Sequence, residues 1–153
     1  MKNFKNILLF VAISSFTLVA CKKDCRDHKI LTRNGLPIEA SQEVPRKETK
    51  GMGSADVTYN KQTKVLSYKL TWTNLTGVPT GAHIHGPASR GTNAGIKHDF
   101  FSSFPRTISG TYSGTAMVDG VALIEDSLLA GKYYFNIHTA INPGGEIRGQ
   151  IEF

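Results

Sequence analysis

The clearest pattern of hydrophobic and polar positions is an alternation within residues 64–75, KVLSYKLTWTNL, where the polar positions lie mostly on one face. Its apolar face consists of Leu66, Tyr68, Leu70 and Trp72. A period of two over this length predicts a half-buried strand. The preceding segment, SADVTYNKQTK, has β character and a turn signal near Asn60 and Lys61. The pattern therefore predicts a β-hairpin over residues 55–75.

The rest of the chain after Gly51 also has strand character, in segments 107–118, 133–140 and 145–153. One short helix is predicted over residues 122–131, where leucines form an apolar stripe and Gly131 is a terminator. Strands at short spacing with glycine-rich turns are typical of all-β folds. We therefore expect a single antiparallel β-sandwich or barrel, immunoglobulin-like or superoxide-dismutase-like, with one short helix.

The register of the last hairpin decides which side chains share a face. A two-residue loop at Pro143-Gly144 would mix polar and apolar residues, whereas a three-residue loop pairs Asn142 with Glu146 and Ile137 with Ile151. The second register unites the apolar residues, so we predict it. It gives an apolar face of Phe135, Ile137, Ile147, Ile151 and Phe153. It gives a polar face of Asn136, His138, Glu146, Arg148 and Gln150.

Histidines are concentrated on the polar side of these strands. In GAHIHGPA, residues 81–88, His83 and His85 point to one side, and His138 shares the polar face of its own strand. Such a set could hold Zn or Cu, because imidazole nitrogen suits both metals. Alternatively, the three histidines form a hydrogen-bonded polar layer supported by Glu146 and Arg148.

Two features bear on that choice. Arg148 is diagonal to His138 in the predicted register, and a fixed cation disfavours a bound metal. The loop over residues 87–104 contains His98 and Asp99, which could cover or complete a site. The pattern therefore leaves metal binding and a purely structural polar layer as alternatives.

The N-terminus has the features of a signal peptide over residues 1–20. Lys2 and Lys5 precede an apolar run, ILLFVAI, which is far shorter than a membrane-spanning helix. The following LVAC, residues 18–21, resembles a bacterial lipobox, which implies lipid modification of Cys21; an ordinary secretory cleavage site is the alternative. Cleavage leaves residues 21–153 and lowers the formal charge from +6 to +4.

The cysteine count fits this interpretation. Cys21 and Cys25 are the only cysteines, so a lipidated Cys21 leaves Cys25 without an internal partner. An unmodified Cys21 would instead allow a small C-x3-C disulfide loop. An aspartate directly after a lipidated cysteine resembles an inner-membrane retention signal. This chain has Lys22 at that position, which favours the outer membrane. We expect a tether over residues 21–29, a domain over residues 30–153, and attachment to the outer membrane on its periplasmic or surface side.

The chain resembles the CHRD (chordin-type) domain family. The matching segments, in order, are IEASQEVP, GSADVTYN, TWTNLTG, GAHIHGPA, LLAGKYYFNIHT and NPGGEIRGQI, which together span about residues 30–153. The resemblance implies an extracytoplasmic all-β domain without an established catalytic activity. The segment 91–105 departs from the family, because Lys97, His98, Asp99 and paired phenylalanines replace its glycine-rich turn and aliphatic strand.

Composition and motifs narrow the expected function. A mild positive charge does not indicate nucleic-acid binding, and no nucleophile turn of the G-x-S-x-G type is present. We expect a membrane-anchored binding or structural module with an unidentified extracellular or periplasmic ligand and no catalysis. The alternative is a Cu- or Zn-binding β-sandwich protein, whose redox activity would depend on the metal.

Overall fold

The computed structural model describes residues 29–153, which fold into eight strands and one short helix. The strands are β1 (Ile30–Glu39), β2 (Met52–Asn60), β3 (Val65–Thr73), β4 (Pro79–His85), β5 (Ile96–Asp99), β6 (Gly110–Met117), β7 (Tyr133–Thr139) and β8 (Ile147–Ile151). The helix is α1 (Glu125–Leu129). The predicted signal peptide and Cys21 lie outside the described residues. Within residues 29–153, no helix combines the length and apolar character that crossing a membrane requires.

All eight strands belong to one antiparallel sheet with the order β5-β4-β7-β8-β1-β2-β3-β6. The sheet curls into a nearly closed barrel, so the prediction of an all-β antiparallel sandwich or barrel is confirmed. Aromatic side chains join its two edges: the Phe100 ring, just after β5, stacks on Tyr112 of β6 with centroids 5.4 Å apart. Phe104 stacks on Trp72 of β3 at 4.4 Å. These contacts bury apolar rings where strand pairing ends.

The predicted hairpin over residues 55–75 is confirmed as β2 and β3, which pair from Met52–Thr73 to Asn60–Val65. The turn forms at Asn60, whose side-chain oxygen accepts hydrogen bonds from the backbone N–H groups of Gln62 and Thr63. Asparagine favours turns because its side chain can bind nearby backbone in this way. The alternation along β3 then buries Leu66, Tyr68, Leu70 and Trp72 inside the barrel.

The helix is shorter than the predicted segment 122–131. The Asp119 carboxylate accepts hydrogen bonds from the backbone N–H groups of Val121, Ala122 and Leu123. These bonds hold the preceding residues in a turn, so α1 begins only at Glu125. The helix ends before Gly131, whose φ of +66° suits a glycine.

The predicted register of the last hairpin is wrong. Ile137 pairs with Ile147 and Asn136 with Arg148, which displaces β8 by four residues from the predicted pairing. The connection between β7 and β8 covers residues 140–146 and is therefore longer than a three-residue turn. Its hydrogen bonds include Gly145 N–H to Asn142 O and Glu146 N–H to Ile137 O. Since the displacement is even, the assignment of β7 and β8 residues to faces is unchanged.

Candidate metal centre

Three of the five histidines meet where β4 lies beside β7. His83 and His85 alternate with buried Ile84 on β4, and His138 is on β7 opposite Gly81. A side chain at position 81 would place its Cβ 2.9 Å from the His83 ring and 3.2 Å from the His138 ring. Glycine at this position therefore leaves space for the imidazoles to converge.

The three imidazoles form a compact cluster. One ring nitrogen of each histidine lies within 4.8 Å of those of the other two. The closest pair is His83 Nδ1 and His138 Nε2, which form a hydrogen bond at 3.1 Å. Because His138 Nδ1 donates to Pro143 O, His83 Nδ1 is the donor of this bond between neutral rings. Tetrahedral Zn with Zn–N bonds of about 2.0–2.1 Å needs donors roughly 3.3 Å apart. The His83–His138 separation is close to this value, and 4.8 Å is the upper limit for the separations that involve His85.

Hydrogen bonds hold the outward-facing nitrogens of two imidazoles and so fix their tautomers. His85 Nδ1 donates to Ala94 O, and His138 Nδ1 donates to Pro143 O, each at 2.9 Å. A carbonyl only accepts, so these nitrogens carry the protons and both Nε2 atoms present lone pairs when the rings are neutral. The buried Nε2 of His85 has no hydrogen-bond partner among the described residues.

His83 has a comparable arrangement on the solvent side. Its Nε2 atom lies 3.8 Å from an Asp99 carboxylate oxygen, and its Nδ1 faces His138. Metal-binding histidines usually donate their second N–H to a carboxylate or carbonyl, which orients the ring. All three histidines of the cluster have such an acceptor on the outer side. At His83 the distance to the acceptor, Asp99, is longer than that of a hydrogen bond.

Burial keeps the cluster neutral. Desolvation, and then the proximity of His138, lower the pKa of His83 to about 4. Desolvation is also the largest cause of the lowered pKa of His85 and of His138. Neutral imidazole is the form that binds metal, so protons compete weakly with a cation here near pH 7. The donor set therefore fits a three-histidine Zn or Cu site with an open coordination position.

A buried polar layer extends from this cluster across β7 and β8. Tyr134 lies between His85, whose ring is parallel at 5.2 Å, and Arg148, whose guanidinium carbon is 3.4 Å from the Tyr134 centroid. Arg148 also donates to Thr92 O and Asn93 Oδ1 in the loop that covers this face. Arg148 is thus turned toward the loop, and no hydrogen bond joins it to the histidines.

Other predicted residues lie elsewhere. Glu146 does not reach the histidines, because its carboxylate accepts hydrogen bonds from Thr76 N, Thr76 Oγ1 and Thr139 Oγ1. His98 of β5 pairs with Ile84 of β4, so strand alternation directs the His98 side chain to the opposite face from His83. Of the two loop residues considered as supplementary ligands, only Asp99 approaches the cluster.

Tyr134 and Glu43 belong to this layer but were not predicted from the sequence. Tyr134 has the same parity as Asn136 and His138, so alternation along β7 could have assigned it to the polar face. Glu43 follows a short 3-10 helix after β1 and reaches Asn136 from a distant part of the chain. No local pattern indicates that contact.

An all-β barrel with a histidine-lined polar layer is the class of protein that these observations define. Residues 36–151 match the CHRD domain, so the chain belongs to the CHRD domain family. The resemblance described above is confirmed at the level of the family. No curated protein and no solved structure matches the chain. Membership suggests an extracellular binding or structural module, and the CHRD domain is not a known enzyme family.

Proposed function

We propose that this protein is a lipid-anchored, extracytoplasmic binding module whose CHRD domain holds Zn or Cu at His83, His85 and His138. The observation that carries the proposal is the convergence of three imidazole nitrogens within 4.8 Å. In a purely structural polar layer each buried ring nitrogen would be expected to have a hydrogen-bond partner. His83 Nδ1 and His138 Nε2 bind each other, but the Nε2 atom of His85 has no partner among the described residues. A metal ion would supply that partner.

The three ligand atoms of the proposed site follow from the hydrogen bonds. His85 and His138 use their Nε2 atoms, because Ala94 O and Pro143 O hold their Nδ1 protons. His83 uses Nδ1, where the metal ion would replace the hydrogen bond to His138 Nε2, and its proton would then be at Nε2 toward Asp99. The proposed role is binding, and a redox activity would be a property of a copper-loaded form.

The anchor is the second part of the proposal. The apolar run in residues 7–13 and the LVAC segment support cleavage before Cys21 and acylation of its thiol. Residues 22–29 then connect the membrane surface to β1. We propose the outer membrane as the location, with an unidentified extracellular or periplasmic ligand as the partner.

Metal content tests the site. The full-length chain, purified in detergent, stripped with chelator and reloaded with Zn or Cu, is expected to retain about one metal ion per chain. The His83→Ala/His85→Ala double variant should retain none, whereas His98→Ala should behave as the parent because His98 lies outside the cluster. For the Cu(II) form, electron paramagnetic resonance should show nitrogen couplings. Equal metal retention in the parent and the double variant would reject the site.

Mass spectrometry of the protein from a Gram-negative expression host tests the anchor. A mature chain that begins at Cys21 and carries acyl groups is expected. Cys21→Ser should abolish the modification, and Cys25→Ser should leave it intact. Cleavage at another residue, or acylation that survives Cys21→Ser, would contradict the proposal.

A further inference from the structure

A second candidate site lies on the far side of Tyr134 from the histidines. A cavity of about 260 Å³ is lined by the segment after β1, by the loop that follows β4, and by β8. Its charged lining residues are Glu43, Arg90 and Arg148. This volume is just below the roughly 300–1,000 Å³ of typical small-molecule pockets, so the cavity suits a ligand of a few heavy atoms.

Arg148 is the unusual residue of this cavity. Its side chain is buried, with 1% of the residue exposed, and within residues 29–153 it forms no salt bridge to a carboxylate. Its two hydrogen bonds, to Thr92 O and Asn93 Oδ1, use two of its five N–H groups. Leaving a buried cation without an anion is costly, and the Tyr134 ring compensates only part of that cost.

Glu43 faces the same cavity without neutralising Arg148. It is 5% exposed, and its Oε1 atom has no hydrogen-bond partner among the described residues. Burial raises the pKa of Glu43 to about 7, although the nearby charges of Arg148 and Lys47 act in the opposite direction. Below that pH its carboxyl is largely neutral and can donate a hydrogen bond.

The other cation at the cavity already has a partner. Arg90 donates to both Glu152 carboxylate oxygens at 2.8–2.9 Å and to Gln42 Oε1 at 2.7 Å. It therefore adds positive potential at the opening without needing a further anion. The uncompensated charge of the cavity is that of Arg148.

We propose that this cavity is a binding site for a small organic carboxylate, which pairs with the free N–H groups of Arg148. Guanidinium is well suited to this ligand, because its planar fork can donate two parallel hydrogen bonds to one carboxylate. The neutral carboxyl of Glu43 donates a further hydrogen bond to the bound anion. This site is separate from the proposed metal centre and does not depend on a metal ion being bound there.

Acetate is the probe that tests the site. The full-length chain in detergent, kept metal-free with chelator and labelled with ¹⁵N at arginine Nε, is titrated at pH 6, and Arg148→Lys assigns the Arg148 signal. We expect acetate to shift the Arg148 Nε–H signal saturably, and chloride at equal ionic strength to leave it unshifted. Arg148→Lys should weaken acetate binding, measured by calorimetry, by roughly tenfold or more. Arg46→Lys, at an exposed residue paired with Glu48, is the matched control.

Glu43→Gln keeps the test decisive if Arg148→Lys does not fold. The parent should lose acetate affinity as pH rises from 6 to 8, because the Glu43 carboxylate then repels the anion. Glu43→Gln should bind acetate with an affinity that does not change over this range. A non-saturable Arg148 shift, an equal response to chloride, or the same pH dependence in the parent and Glu43→Gln would overturn the proposal.

Discussion

Glu43 shows how one buried carboxyl group can make stability depend on pH. Its folded-state pKa of about 7 exceeds the usual 4.5, mainly because of burial, so the native state binds the proton more tightly than the unfolded chain. The free energy of unfolding should therefore fall as pH rises from about 4.5 to about 7. The shift corresponds to about 3 kcal/mol.

Replacing this carboxyl with an uncharged amide should remove that dependence. We expect Glu43→Gln to be close to the parent in stability at pH 5 and more stable by up to about 3 kcal/mol at pH 8. Urea unfolding at several pH values measures the difference. Glu48→Gln is the control, because the Glu48 side chain is 82% exposed. A stability gap that stays constant from pH 5 to pH 8 would contradict the assignment.

Gly145 and Gly144 form a matched pair of glycines in the β7–β8 connection. Gly145 has a φ of +125°, and an added Cβ would lie 2.4 Å from Asn136 Oδ1 and 2.6 Å from Glu43 Oε1. Nothing lies within 4 Å of a Cβ at Gly144. We expect Gly145→Ala to destabilise the fold by about 2 kcal/mol or more, and Gly144→Ala by less than about 0.5 kcal/mol. Thermal unfolding of both variants checks this, and equal losses would be inconsistent with the packing described.

At the scale of elements, the hydrophobic alternation predicted which residues of a strand face the core, but not how β7 and β8 pair. The faces of Phe135, Ile137 and Ile147 follow from parity, which any even displacement preserves. In the observed register, the Glu146 carboxylate accepts hydrogen bonds from Thr76 and Thr139. Thr76 is 70 residues away in sequence, so no local turn rule contains this contact.

The candidate site also combines side-chain faces that follow from local alternation with a strand pairing that depends on long-range contacts. The i, i+2 spacing of His83 and His85 predicts that they share a face, and β7 parity adds His138. The pairing of β4 with β7 is a long-range feature that brings the three together. The cavity beside Arg148 was not predicted, because Glu43 reaches it through a segment with no regular alternation.

Glu146 connects two loops, and its removal should loosen both. The carboxylate is fully buried and accepts three hydrogen bonds from Thr76 and Thr139. We expect Glu146→Ala to cost about 3 kcal/mol, since it leaves buried donors unpaired. Hydrogen exchange should show lost protection at the Thr76 amide before the strands open. The control is Glu39→Ala, at an exposed carboxylate that accepts a hydrogen bond from Ser41, and it should cost less than about 0.5 kcal/mol. Unchanged protection of the Thr76 amide in Glu146→Ala would refute the role of Glu146 in joining the two loops.

At the scale of the whole molecule, the metal-free histidine cluster should make the fold sensitive to acid. The lowered pKa values of His83, His85 and His138 mean that the unfolded chain binds protons more tightly than the native state. Their contribution to stability is therefore present above the ordinary histidine pKa of about 6.5 and decreases as pH falls toward about 4. The Glu43 contribution changes in the opposite direction over much of this range.

Metal binding should add stability in a way that reveals these same pKa values. At a free Zn concentration of 100 times the Kd, the gain is about 2.7 kcal/mol, on the order of 10 °C in Tm. Because His83 remains neutral until about pH 4, the gain should persist well below pH 6.5, where ordinary imidazoles would already be protonated. Calorimetry with and without Zn at pH 4 to 7 measures it. The His83→Ala/His85→Ala variant should show no gain at any pH, and a gain in the parent that disappears near pH 6.5 would show that burial does not hold these histidines neutral.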